Sequence, residues 1–255
     1  MRLSSLFALL CSIASSAFCQ TEDWAKTPTP AVLSITTEVI KEGQEDAHVK
    51  IESGWRRAFT KVNYPSYFLG ISSLTGPSAM LFLTGYDSLE AWQKDDEDQG
   101  ANQWLWTEQD KLHIEDSVYV SARNHEYAEL VPELTVPTKF PLGAARCFSV
   151  TRIDVEPSQS QDVRNWLRRQ IAAKAAVLTY LATYRLFAGG SPTTYIVIEA
   201  RTSRGAYDSN RLDLDFPPTG VKGITRNLFE PDPNTSHVTR EFAKGNERFW
   251  FAPED

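Results

Sequence analysis

The sequence predicts an α+β fold that consists of two tandem β-α-β-β-α units. Two strand patterns of the form apolar-Ser-apolar-Thr, Leu33–Ile40 and Phe148–Val155, begin 115 residues apart. Each pattern is followed by a stretch with helical spacing and then by two strand-like runs. The elements recur in the same order at offsets of about 111 to 115 residues, which indicates an internal duplication.

The first unit begins with the strand Leu33–Ile40 and a short polar turn. The apolar residues that follow recur at steps of three and four, which is typical of one face of an amphipathic helix. They are Ala47, Ile51, Trp55, Ala58, Phe59 and Val62. Two strand-like runs, Tyr67–Leu74 and Met80–Thr84, flank a link with glycine and proline and therefore predict a hairpin.

The second unit repeats this order after the strand Phe148–Val155. Its helical spacing comes from Val163, Trp166, Leu167, Ile171 and Ala175. The hairpin is predicted from Tyr180–Phe187 and Tyr195–Ile198. A closing helix in each unit is predicted from matched residues, which are Ser88, Ala91 and Trp92 in the first and Ser203, Ala206 and Tyr207 in the second. Extra strands are expected at 118–120 and 224–225.

The first nineteen residues are interpreted as a secretory signal peptide. Arg2 is the only charged residue before Glu22, and a short, serine-containing apolar run follows it. We expect cleavage after Cys19 or Ala17, with a lipoprotein cut before Cys19 as the alternative. The predicted division is a signal peptide at 1–19, an N-terminal lead at 20–30, the first unit at 31–129, a proline-rich linker at 130–145 and the second unit at 146–255. The protein is expected to be exported, either periplasmic or secreted.

Composition and charge exclude several classes of function. The chain has 255 residues, 23% of them charged, and a formal net charge of −7. This balance argues against a nucleic-acid partner. Outside the signal segment no apolar run is long enough for a stable membrane span. Removal of the signal leaves Cys147 as the single cysteine, so no disulfide framework is expected, and Cys147 is expected to be a buried small hydrophobic residue.

The strands of both units are apolar on both faces, as Phe68, Leu69, Leu81, Phe82 and Leu83 show. A strand of this kind is covered on both sides. Helices cover one side, and we expect the sheet of the other unit to cover the second side. The two units are therefore predicted to form ferredoxin-like halves of one pseudo-dimeric α/β barrel.

This repeat resembles the dimeric α/β-barrel superfamily, particularly its NIPSNAP-like and antibiotic-biosynthesis-monooxygenase-like members. The resemblance rests on Leu33–Trp92 and Phe148–Tyr207. It implies that two ferredoxin-like units share a barrel, as a dimer or as a tandem in one chain. The superfamily includes cofactor-free oxygenases, enzymes that degrade small molecules, haem enzymes and proteins without known activity. The fold alone therefore does not select a function.

The sequence predicts no cofactor and no metal site. Haem-binding relatives, the dye-decolourising peroxidases and chlorite dismutases, take an axial histidine from the second unit, and no histidine lies between Phe148 and Tyr207. The four histidines are His48, His113, His125 and His237. Motifs with metal-ligand spacing and the motifs of serine hydrolases and nucleotide-binding loops are absent from the sequence.

The candidate ligand-binding residues lie on the strands. They are Ser34, Thr36, Glu38, Ser149, Thr151 and Arg185. Leu33 and Ile35 are expected to contact the helices, so the Ser/Thr sets are expected to point into the barrel. Glu38 could pair with Arg185 across the interior, or both could reach solvent at strand ends. Glu38 is also the candidate for a catalytic base.

Two classes of function remain open at this point. The first is a binding or structural module with a cavity for a small hydrophobic ligand. The second is a cofactor-independent oxygenase or related enzyme, which needs an electron-rich substrate and a base in a dry pocket. A tandem barrel that has lost its ancestral pocket is a third possibility. The sequence does not predict the oligomeric state.

Overall fold

The computed structural model describes residues 29–136, 140–207 and 211–251. The predicted signal peptide at 1–19 and most of the lead at 20–30 lie outside these residues. Within the described ranges, no helix is both long enough and apolar enough to cross a membrane.

The first unit contains four strands and three helices. They are β1 (Val32–Ile40), α1 (Glu45–Lys61), β2 (Leu69–Ser73), β3 (Ala79–Tyr86), α2 (Leu89–Ala101), α3 (Gln103–Asp116) and β4 (Val120–Leu130). Their order is the one that the repeat predicts, except that α3 is an additional helix. The side chain of Ser88 accepts a hydrogen bond from the Ala91 N–H and caps α2, and Asn102 caps α3 in the same way through Leu105. Asn102 is both the last cap of α2 and the first cap of α3, so α3 follows α2 almost without a loop.

The second unit has the same strands, but only one of the three helices in its described part is longer than four residues. Its elements are β5 (Cys147–Val155), α4 (Ser160–Lys174), β6 (Tyr180–Ala188), β7 (Thr194–Arg201), β8 (Val221–Pro231), α5 (Arg240–Ala243) and α6 (Glu247–Trp250). Where the sequence predicts a second closing helix, the structure has a short 3-10 turn, Arg204–Ala206, and residues 208–210 lie outside the described ranges. Two further 3-10 turns, Pro132–Leu134 and Leu142–Ala144, lie in the predicted linker.

The eight strands form one closed barrel in the order β1-β3-β2-β8-β5-β7-β6-β4. Within each unit the first strand lies between the third and the fourth, as in a ferredoxin-like sheet. The units meet at two antiparallel seams, β2 with β8 and β4 with β6. Closure pairs both edges of each sheet, so no edge strand is left exposed in the barrel. The prediction of a single pseudo-dimeric barrel is confirmed.

The barrel interior is filled by apolar side chains from both units. Leu33 and Ile35 of β1 belong to the same packed cluster as Phe148, Tyr184 and Ile198 of the second unit. They therefore point inward, and the alternate residues of each strand point outward to the helices. We call this second surface the outer face of each unit.

This orientation corrects the prediction for the Ser/Thr sets. Ser34 and Thr36 alternate with Leu33 and Ile35 and therefore lie on the outer face, as do Ser149 and Thr151 in the second unit. Alternation separates the two faces of a strand but does not tell which one is enclosed. The prediction assumed that the helices cover the more apolar face of each strand. In the structure, the more apolar face lies inside the barrel.

Cys147 is fully buried and free, as expected. Burial raises the pKa of its thiol, which keeps it protonated and unreactive.

Candidate functional site

Three cross-strand rows of side chains form the outer face of the first unit, with β1 in the middle. The register places Glu38 between Arg123 and Met80, Thr36 between His125 and Phe82, and Ser34 between Tyr127 and Thr84. Neighbours in one row are about 5 Å apart, and residues of successive rows are about 7 Å apart along the strand. The last two rows, Ser34, Thr36, Phe82, Thr84, His125 and Tyr127, are called the open face here.

The open face is only partly covered by helices. Each of its six residues retains solvent exposure. Helix α2 lies near it, but none of the residues of α2 is buried. The contact that the structure shows is aromatic, because the ring of Trp92 lies 4.6 Å from the ring of Tyr127. A surface with this combination of aromatic rings and hydroxyl groups is suited to a flat, mostly apolar ligand.

Asp95 fixes α2 at this position. Its carboxylate accepts hydrogen bonds from the hydroxyl groups of Tyr86 at 3.0 Å and Ser66 at 3.2 Å, and from the Gln99 amide at 2.9 Å. Burial raises the pKa of Asp95, although these hydrogen bonds act in the opposite direction. The helix that borders the open face is thus held by a half-buried carboxyl group and its hydrogen bonds.

His125 is the histidine of the open face. Its Nδ1 is 2.9 Å from the hydroxyl group of Thr36, which fixes the ring orientation. In the tautomer in which the Nδ1–H donates to Thr36, Nε2 is the nitrogen that can accept a proton. Partial burial, followed by the positive charge of Arg123, lowers the pKa of His125 below its ordinary value of 6.5. A Cβ at Gly189 would come within 2.0 Å of the His125 carbonyl oxygen, so only glycine allows the β6–β7 turn to support the strand here. His125 is therefore a neutral, oriented base at pH 7.

A buried cluster of charged and polar groups lies at one end of the open face, between β1, β4, α1 and α3. It consists of Glu38, His48, Glu52, Asp116 and Arg123. His48 Nε2 is 2.8 Å from Glu38 Oε2 and 3.5 Å from Asp116 Oδ1. Arg123 donates to Glu38 Oε1 at 2.5 Å and to Asp116 Oδ2 at 2.6 Å. The guanidinium thus joins the outer oxygens of two carboxylates, and their inner oxygens face His48.

The environments of the three carboxyl groups in the cluster differ. Burial acts to raise the pKa of Glu38, but the hydrogen bond with His48 and the charge of Arg123 lower it overall. Burial raises the pKa of Glu52 well above its usual range, and the nearby charges of Glu38 and Asp116 add to this effect. Burial and the charge of Glu38 also raise the pKa of Asp116. Glu38 is therefore an ion-paired carboxylate and does not fit the role of a catalytic base.

The second unit has apolar residues at the equivalent positions. The offset of 115 residues holds from β1 through the start of α1, because α4 begins as far after β5 as α1 does after β1. Ile153, Val163, Leu167 and Ile224 stand where the first unit has Glu38, His48, Glu52 and Arg123. All four pack in one apolar cluster with α4. At these four positions the fold therefore forms the helix–sheet interface with apolar side chains alone.

The outer face of the second unit is also closed where the first is open. Ser149 and Thr151 are fully buried. Leu212 and Leu214 pack over them as part of the apolar cluster, and the Leu212 N–H donates to Glu199. Residues 131–136 of the predicted linker lie along β6, where the Thr183 hydroxyl donates to the Leu134 carbonyl.

The pairing of Glu38 with Arg185 does not occur. Glu38 is buried and bound to His48 and Arg123, whereas Arg185 is exposed on β6 opposite Glu129. Glu129, which pairs with Arg185, lies six residues along β4 from Arg123, which pairs with Glu38. At the rise of a β-strand, these two positions are about 20 Å apart. Of the predicted ligand-binding residues, the structure brings Ser34, Thr36 and Glu38 together in the first unit. Ser149, Thr151 and Arg185 lie elsewhere.

Sequence reasoning missed most of the buried cluster. His48 and Glu52 are four residues apart on α1, a spacing that places both on one helix face and could have indicated a paired site. Asp116 and Arg123 gave no such signal, because their position depends on where α3 ends and on the register of β4. The absence of short metal motifs in the sequence thus did not exclude a group of metal-ligating side chains from three separate elements.

The barrel is similar to solved structures of several proteins. A proposed monooxygenase of Fusobacterium nucleatum is 10% identical, with a TM-score of 0.55, over 80% of this chain and 93% of that chain. An anthrone oxidase-like protein is 11% identical, with a TM-score of 0.54, over 79% of this chain and 91% of that chain. Chlorite dismutase from Candidatus Nitrospira defluvii in complex with imidazole is 10% identical, with a TM-score of 0.50, over 84% of this chain and 96% of that chain.

No family model matches the sequence, and none of the curated proteins is significantly similar to it. The closer resemblance to NIPSNAP-like proteins stays a prediction. At these identities the structural likeness concerns the fold. The chain has the fold of the dimeric α/β-barrel superfamily, with both halves of the barrel in one polypeptide.

Proposed function

We propose that the protein is a cofactor-independent oxidase or oxygenase that acts on a small, electron-rich aromatic molecule bound at the open face. The observation that carries this proposal is the row of His125, Thr36 and Phe82, which places an oriented neutral base beside an aromatic surface. In the second unit the same row contains Arg226, Thr151 and Val197. An arginine remains protonated and cannot act as a base.

The proposed reaction begins with proton transfer. Nε2 of His125 takes a proton from an acidic C–H or O–H group of the substrate, and the resulting anion is electron-rich enough to reduce O₂. With anthrone as the substrate, one O₂ oxidises the CH₂ carbon to a carbonyl group and releases one water, so anthraquinone is the product. Similarity to an anthrone oxidase-like protein makes anthrone a reasonable probe.

The other residues of the open face position the substrate in this scheme. Thr36 holds the His125 ring, and the rings of Phe82, Tyr127 and Trp92 provide stacking surfaces for a flat molecule. Ser34 and Thr84 offer hydroxyl groups one row away that can bind a substrate oxygen. None of these roles requires an organic cofactor.

The test is oxygen consumption with anthrone, with anthraquinone formation as the second readout. We expect His125→Gln to lower kcat/KM about 100-fold or more, because a positioned general base contributes about 100- to 10,000-fold. His113→Gln is the matched control, since His113 is, like His125, an exposed histidine, but it packs against Trp55 instead of lying on the open face.

The pH dependence gives a second readout of the same proposal. Because the pKa of His125 lies below 6.5, we expect kcat/KM to rise with pH through a midpoint below that value and to be constant at pH 7 to 8. The rising limb should disappear in His125→Gln. Anthrone that binds without turnover would support the binding module instead, and no binding at all would contradict the open face as a site for such aromatics.

We also propose that the protein acts outside the cytoplasm, on the basis of the apolar run that follows Arg2. Expression of the full chain in a bacterial host, with cell fractionation and amino-terminal sequencing of the product, tests this. Recovery of the uncleaved chain from the cytoplasm would contradict it.

A further inference from the structure

We propose that the buried cluster binds one divalent transition-metal ion through Glu38, His48, Glu52 and Asp116. Arg123 would lie outside the coordination sphere and hold two of the ligands. This inference goes beyond the proposed oxidation at the open face and does not depend on it, because the donors face the helix–sheet interface and not the row of His125.

The spacing of the donor atoms is close to that of a coordination sphere. Metal–ligand distances of about 2.0 to 2.2 Å place adjacent ligands about 3.0 to 3.4 Å apart and opposite ligands up to about 4.4 Å apart. His48 Nε2 is 2.8 Å from Glu38 Oε2 and 3.5 Å from Asp116 Oδ1. One donor atom from each of the four residues lies within 4.8 Å of the others. Small side-chain shifts would therefore complete the sphere.

Two inner oxygens of the cluster accept no hydrogen bond from the described part of the chain. Among the residues that the structure describes, none forms a hydrogen bond with Glu52 Oε1 or Asp116 Oδ1, and both atoms are buried. Glu52 itself is 4% exposed, and its carboxyl group points toward the other donors. An unpaired buried carboxyl oxygen is costly, and a metal ion in the centre would satisfy both oxygens at once.

The charges of the cluster are complementary to a divalent ion. Three carboxylates and one guanidinium leave an excess of two negative charges when His48 is neutral, as a metal-bound imidazole must be. Arg123 binds the outer oxygens of Glu38 and Asp116, which is the usual role of a group that orients metal-ligating carboxylates from outside.

The comparison of the units shows that the fold does not require these polar residues. Ile153, Val163 and Leu167 fill the equivalent positions in the second unit with apolar contacts alone. The first unit therefore carries a set of charged groups whose burial is unfavourable unless something binds them. Three oxygen donors and one imidazole suit Mn²⁺, Fe²⁺ or Zn²⁺ better than a soft ion such as Cu⁺.

The experiment uses the full-length protein after treatment with a chelator and measures its binding of Mn²⁺ and Zn²⁺, each alone, by calorimetry. We expect one ion per chain and a rise in Tm on addition of the ion. Glu52→Gln and His48→Ala should each weaken binding at least tenfold. Glu115→Gln, which removes the exposed neighbour of Asp116, should bind like the wild type.

A measurement on the wild type alone keeps the proposal testable if a variant fails to fold. The electron spin echo of bound Mn²⁺ should show coupling to one imidazole nitrogen, since His48 is the histidine of the cluster. No binding of either ion, binding that persists in both variants, or Mn²⁺ with oxygen ligands alone would each overturn the proposal. Loss of anthrone oxidation in His125→Gln with intact metal binding would separate this site from the proposed function.

Discussion

The two units share one framework, yet their outer faces have opposite character. In the first unit, charged groups occupy the helix–sheet interface and the two rows beside them reach solvent. In the second unit, apolar side chains fill the same interface and two chain segments cover the rows. Both arrangements support the same barrel, so the barrel does not require charged groups at this interface. Its stability accounts for the apolar interface of the second unit but not for the charged interface of the first. The charged interface and the open rows need a functional explanation.

One hydrogen bond illustrates how the units diverged in detail. Thr36 is 2.9 Å from His125 Nδ1 in the first unit, and Arg226 Nε donates to Thr151 at 3.0 Å in the second. The two threonines occupy equivalent positions, and each faces the fourth strand of its unit. The side chain opposite the threonine is a titratable base in the first unit and a permanent cation in the second. In the second unit Arg226 also donates to the Leu212 carbonyl, so there the arginine ties down the covering segment.

The largest expected change in stability comes from Arg123→Leu. This variant leaves the carboxylates of Glu38 and Asp116 without their guanidinium partner, and breaking a buried ion pair costs about 3 to 5 kcal/mol. Urea unfolding of the metal-free protein measures the change. Lys222→Ala, which removes an exposed pair with Glu156 in the second unit, should change the free energy of unfolding by less than about 1 kcal/mol. Equal effects of the two variants would contradict the difference between the units.

The next largest effect is expected from a matched pair of alanine variants. Leu167→Ala leaves a cavity in the apolar cluster of the second unit and should lower the free energy of unfolding by about 2 to 5 kcal/mol. Glu52→Ala at the equivalent position should cost less in metal-free protein, because it also removes a buried carboxyl group whose Oε1 accepts no hydrogen bond from the described residues. A greater loss for Glu52→Ala would show that Glu52 stabilises the fold.

A smaller effect is expected when the first unit receives the residue of the second. Glu52→Leu should leave the free energy of unfolding of the metal-free protein unchanged or raise it by about 1 kcal/mol, because well-packed apolar residues often replace buried charges without loss. The same variant should lose metal binding. Chemical denaturation with and without Mn²⁺ gives both results. If Glu52→Leu lowered the free energy of unfolding of the metal-free protein by more than about 2 kcal/mol, the first unit would need Glu52 for its stability, unlike the second unit with Leu167.

The smallest effect concerns the anchor of α2. The pKa of Asp95 is raised in the folded protein, so its protonated form is favoured by folding and this contribution is lost as the pH rises through the folded-state pKa. We therefore expect the stability of the wild type relative to Asp95→Asn to decrease from pH 4 to pH 7. Thermal unfolding across this range measures the difference. A stability difference that increases with pH would indicate that the Asp95 hydrogen bonds outweigh its burial.

The repeat made the fold predictable, because both halves carry the same strand pattern at a nearly constant offset. The outer face was less accessible to prediction. Ser34 and Thr36 were found as candidates, but their direction was inverted, since alternation does not reveal which face a closed barrel encloses. His125 and Arg123 acquire their roles only from the register of β4 against β1, which no local pattern encodes.

The most direct test of the account is NMR chemical-shift mapping of the protein with anthrone under anaerobic conditions. The account predicts shifts at Thr36, Phe82 and His125 and little change at the equivalent Thr151, Val197 and Arg226. Shifts confined to the second unit, or equal shifts in both rows, would contradict the claim that the functional surface belongs to the first unit.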